Sequence, residues 1–83
     1  MDQLRLCMNV LRLVARQPVD ANRQLLLQRQ IDGYLVREVA DPKASLERLA
    51  NAIEEEAKEG GDWSPMRDYV QSCLDKVQGE SEG

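Results

Sequence analysis

The 83-residue sequence contains no histidine and no phenylalanine, and only one tryptophan and two tyrosines. Without histidine the chain lacks the commonest general base and the commonest metal ligand near neutral pH. Without phenylalanine its core must be largely aliphatic, which suits helices packed on helices. Cysteine is scarce as well. Cys7 and Cys73 make no CxxC pair and are too few for a disulfide framework. Both fall on apolar helical faces, where reduced thiols act as small hydrophobes. A bridge between them stays open, because the first and last helices could lie side by side.

Long apolar runs are also missing. None approaches the ~20 residues of a membrane span. The first apolar stretch is interrupted by Arg5, Asn9 and Arg12 and lacks the unbroken core and cleavage site of a signal peptide. A cytoplasmic location with no membrane association is therefore expected. Lysine is absent from the first 40 residues, which carry six arginines and a net charge of +2, whereas residues 41–83 carry −6. The overall charge of −4 opposes non-specific nucleic-acid binding.

Catalytic motifs are lacking too. Cys7, Cys73, Ser45, Ser64 and Ser72 are the available nucleophiles, and no spacing places a base beside any of them. Gly60-Gly61 has neither the lysine nor the surroundings of a phosphate loop. The glutamates 54–56 point in different directions on a helix and read as a solvated face rather than a metal site. No catalytic residue, cofactor or metal is expected, and the chain is read as a non-enzyme.

What the sequence does contain is helical period. Residues 4–15, LRLCMNVLRLVA, place nine apolar side chains over roughly 220° of a helical wheel. Only Arg5, Asn9, Arg12 and Arg16 remain, as a narrow polar stripe. A surface helix of a monomer needs an apolar arc of about 100° or somewhat more. The surplus is Leu6, Val10 and Leu13, opposite the edge formed by Leu4, Met8 and Ala15. Two readings follow: this helix runs through the centre of the fold, or it carries a patch for a partner, with Arg5, Arg12 and Arg16 as its polar rim.

The remaining segments complete an all-α, compact bundle of three to four helices. The first helix is expected over about residues 2–16, ended by Gln17-Pro18. The second spans about 19–40, with Pro18 in its first turn or Asp20 as N-cap, and Gly33 as the place where it could kink. Its buried face is Leu27, Ile31, Tyr34 and Leu35, and Val39 continues the apolar pattern. The third spans 42–58, with Asp41 as N-cap and Pro42 at N1, and buries Leu46, Leu49, Ala50, Ile53 and Ala57. Gly60-Gly61 ends it. The fourth spans 65–77 after a Ser64-Pro65 start, with Met66, Tyr69, Val70, Cys73, Leu74 and Val77 on one face. Residues 1–78 form one domain, and 79–83 read as a flexible acidic tail.

A helix-turn-helix with Gly33 at its turn fails twice. The position four residues earlier, which must be small, is Arg29, and the following helix reads YLVREVA, mostly apolar. Trp63, before the last helix, folds back over that helix or stands exposed as a binding anchor. Tyr34 and Tyr69 are expected at the core edge with their hydroxyls at the surface.

The function expected is a non-catalytic protein–protein interaction module, a small adaptor or inhibitor of another protein. A homodimer is its expected form, since twofold pairing is the commonest way to bury such a patch. Its partner-binding residues are Leu6, Val10, Leu13, Arg5, Arg12, Arg16 and Trp63. The alternative is a small nucleic-acid-binding regulator using Arg5, Arg12, Arg16 and Arg23.

Overall fold

The computed structural model describes residues 2–37 and 40–82, which form four helices and no strand. They are α1 (Gln3–Ala15), α2 (Ala21–Arg37), α3 (Pro42–Lys58) and α4 (Ser64–Glu82). The expected all-α bundle is the observed architecture. α1 packs chiefly on α2 and α3 on α4, and the two hairpins close on one aliphatic core.

The helix starts follow from capping chemistry. Asp2 accepts the Leu4 amide at 3.0 Å, and Asp41 accepts the Ala44 amide at 3.1 Å with Pro42 opening α3. Asp20 accepts the Arg23 amide at 2.9 Å. Pro18 therefore lies in the connection and not in the first turn of α2. At α3's C-terminus the chain reverses through Gly60 and Gly61, at φ 114° and 93°, backbone that favours glycine.

Two boundaries differ from the sequence expectation. α2 passes through Gly33 as unbroken helix and is described to Arg37; residues 38–39, including Val39, lie outside the described residues, and Ala40, the expected end, is a bend and not helix. α4 starts at Ser64 itself, its first turn closed by the Arg67 amide on the Trp63 carbonyl at 3.0 Å. It also continues through Gly79 to Glu82, five residues beyond the expected Val77. An internal glycine costs only about 1 kcal/mol, too little to stop a helix by itself.

The core draws on every helix. Leu11, Leu27, Ile31, Leu46, Leu49, Ile53 and Met66 are fully buried. α1 provides the largest single share, with Cys7, Met8, Leu11, Val14 and Ala15. Tyr34 lies deeper than expected. It is buried whole, and its hydroxyl donates to the Ser45 carbonyl at 3.1 Å, satisfying the polar end inside the fold. Tyr69 is half-buried, with its hydroxyl donating to Asp32 Oδ1 at 2.6 Å.

Candidate interaction face

α1 is covered on one side only. Cys7 Sγ approaches the Gln30 carbonyl at 4.0 Å, marking the flank toward α2, and Arg12 pairs with Glu56 of α3 on the other flank. Between these flanks, away from the core, runs the row Leu6, Val10 and Leu13, spaced i, i+4, i+7. Leu6 is half-buried, Val10 is 40% exposed and Leu13 is 61% exposed. The wide apolar arc of this helix thus divides: Cys7, Leu11 and Val14 enter the core, while Val10 and Leu13, from its surplus, meet solvent.

A residue of α2 extends this face. Leu26 is 39% exposed and lies one turn before Gln30, on the flank turned toward α1. The run Leu25-Leu26-Leu27 hides this in the sequence. The spacing Leu27, Ile31, Tyr34 shows which leucine is core, and leaves Leu25 and Leu26 exposed, at 44% and 39%.

The arginine rim separates into two groups. Arg5 and Arg16 are exposed and make no hydrogen bond or ion pair among the described residues. Arg12 is engaged. It donates to Asn9 Oδ1 at 2.5 Å and to Glu56 Oε1, holding the Glu56 carboxyl below the usual carboxylate range. Arg23 is 3% exposed and donates to the Asp62 carbonyl at 2.6 Å and to Asp62 Oδ2 at 3.4 Å.

Trp63 does not join the face. It is 4% exposed, and its indole N–H donates to the Gly60 carbonyl at 3.1 Å. The expectation of Trp63 as a partner-binding residue is therefore corrected: the side chain folds back onto the core. The local cause is Gly61. A Cβ there would stand 3.1 Å from the indole nitrogen, so glycine makes room for the ring.

The chain's reactive groups are subdued. Burial pushes the Cys7 thiol up to about 11, and burial is also the main reason that the Cys73 thiol is raised. Both cysteines are free. The Tyr69 hydroxyl is raised too, by desolvation first and then by its bond to Asp32. The adjacent glutamates 54–56 of α3 diverge: Glu54 pairs with Arg67, Glu55 with Lys58 and Glu56 with Arg12. Among the described residues no group of three or more Cys, Asp or Glu could hold a metal, and no helix is long and apolar enough to cross a membrane. A shallow cleft of about 280 Å³ between the ends of α1 and α3 is lined by Arg12, Arg16, Glu56, Glu59 and Trp63.

No family model, no curated protein and no solved structure matches this chain.

Proposed function

We propose that this chain is a non-catalytic protein–protein interaction module, a small adaptor or inhibitor that engages another protein through the outward face of α1. The observation that carries the reading is the exposure of Val10 and Leu13 in line with the half-buried Leu6. Single exposed aliphatic side chains are ordinary, but a row of them on one helix, with Leu26 also exposed on the helix packed beside it, is a surface suited to a partner. Arginine at the rim suits such a surface, because its planar fork pairs with carboxylates in two-point geometry. A cytoplasmic setting, with both thiols reduced, fits the same reading.

The nucleic-acid alternative is less well supported. It rests on Arg5, Arg12, Arg16 and Arg23, and two of these are already paired with carboxylates of this chain, Arg12 with Glu56 at the surface and the buried Arg23 with Asp62. The two that remain border an apolar centre, which a phosphate backbone would not match.

A photoreactive residue at position 13, compared with one at the exposed position 47 of α3, tests the proposal in cells that make the protein. Adducts to a defined protein at position 13 that disappear with Val10→Asp are the expected result. Equal yields from both positions would remove the reading. Light scattering over about a hundredfold concentration range shows whether that protein is a second copy.

A further inference from the structure

All six exposed large hydrophobic residues among those described, Val10, Leu13, Val19, Leu25, Leu26 and Val36, belong to α1, α2 or their connection. α3 and α4 have none. Charge divides along the same line. The described acids of the α1–α2 half are each engaged within the fold: Asp2 by the Leu4 amide, Asp20 by the Arg23 amide and Asp32 by Tyr69. Its arginines are only partly engaged. Arg5, Arg16, Arg29 and Arg37 are exposed and make no hydrogen bond or ion pair among the described residues. This side therefore combines an apolar centre with four exposed arginines that have no carboxylate partner among the described residues.

Resting on the reading of α1 as an interaction surface, we propose that the occupant is an amphipathic helix of a different protein, with Asp and Glu flanking its apolar stripe. The geometry is that of one helix lying along the α1–α2 side. Arg5 and Arg16 sit on one flank of the Leu6–Val10–Leu13 row, eleven residues and so about 16 Å apart along the axis. Arg37 follows Leu26 and Gln30 along the α2 row that faces α1, and Arg29 lies one turn beyond Leu25 and Leu26. Carboxylates three turns apart on either side of a leucine stripe would meet these guanidinium groups.

A second copy fits poorly. In an antiparallel twofold pairing of α1 on α1, Arg5 of one copy approaches Arg16 of the other. In a parallel pairing, that same flank meets the α2 flank bearing Arg37. Both place like charges together, which opposes association. A head-to-tail contact with the acidic half of another copy supplies carboxylates, but α3 and α4 expose no large apolar side chain to fill the patch. One surface with both properties must come from another chain.

The test uses the full chain and three dye-labelled synthetic helices. One has leucines at i, i+4 and i+7 with glutamate flanks, the second has the same leucines with lysine flanks, and the third has glutamate flanks without the leucines. The glutamate–leucine helix is expected to bind at least about tenfold more tightly than either control. Its affinity should fall as salt rises. The Arg5→Glu, Arg16→Glu double variant should lose at least about tenfold for this helix and gain for the lysine helix. Circular dichroism confirms that each variant keeps its helices. Equal binding of the glutamate and lysine helices, abolished by Leu13→Asp, would overturn acidic selection yet leave the interaction reading standing. Binding indifferent to Leu13→Asp would overturn both. A dimer or polymer dispersed by Leu13→Asp, or binding to phosphatidylserine vesicles but to none of the helices, would overturn the proposed occupant.

Discussion

Arg23 of α2 and Asp62 of the α3–α4 connection are paired across the two hairpins, yet their solvation differs sharply. The guanidinium is 3% exposed, whereas the carboxylate is 51% exposed. The Asp62 carbonyl accepts one N–H at 2.6 Å, and Arg23 Nε has no partner. The buried member of this pair is the cation, and it carries the electrostatic risk.

Removing either partner should therefore have unequal effects. Asp62→Ala leaves a buried guanidinium with only a carbonyl and is expected to cost about 1–3 kcal/mol. Arg23→Met fills a similar volume and leaves a carboxylate already half in water, so it should cost less. Urea unfolding of both variants checks the order. An equal or larger loss for Arg23→Met would contradict it.

The glycines of α2 and the α3–α4 connection should respond in opposite directions to alanine. At Gly33 a Cβ meets nothing within 4 Å and the residue is mid-helix, so Gly33→Ala should stabilise by about 1 kcal/mol. At Gly61 the backbone has φ 93° and the Cβ would press on Trp63 at 3.1 Å. Gly61→Ala should destabilise by about 1–3 kcal/mol. Thermal melts, with Trp63 fluorescence for the second variant, read both.

Alkaline pH should weaken the fold. Below about pH 9 the Cys7 thiol is protonated in folded and unfolded chains alike, and its contribution is complete. Between pH 9 and about 11 the unfolded thiol ionises while the buried one stays neutral, so stability falls as pH rises. Tyr69, also raised, adds the same sign above pH 10. Cys7→Ala should flatten the decline of unfolding free energy between pH 9 and 11, and Tyr69→Phe should flatten it above 10. Parallel slopes in all three proteins would refute the assignment.

Aspartate scanning along α1 should separate core from surface. Leu11→Asp buries a charge in a fully enclosed site and should abolish the fold, whereas Leu13→Asp, at a 61% exposed site, should change stability by no more than about 0.5 kcal/mol. Leu6, half-buried, should lie between them. Circular dichroism and urea midpoints give the ranking. Helix loss in Leu13→Asp would place that residue in the core.

The helical repeats and their punctuation were legible in the sequence because both are local. Asp2 and Asp41 cap the amides that follow them, Pro42 opens a first turn, and Gly60-Gly61 takes the backbone that other residues resist. Apolar spacing from Leu27 to Tyr34 or from Leu46 to Ile53 names a buried face without reference to any neighbour. The surplus width of α1 was legible for the same reason, and so were its three outward residues as one set.

Their exposure was settled only by tertiary packing. Whether Val10 and Leu13 are covered depends on where α2 and α3 come to rest, and both settle on the far arc of α1. The same long-range geometry turned Trp63 inward, buried Tyr34 to its hydroxyl, and paired Arg12 with Glu56 and Arg23 with Asp62, residues 44 and 39 positions apart. A helical period repeats within a few residues and can be read from them. Ion-pair partners and covered surface are properties of the assembled helices, and no local pattern encodes them.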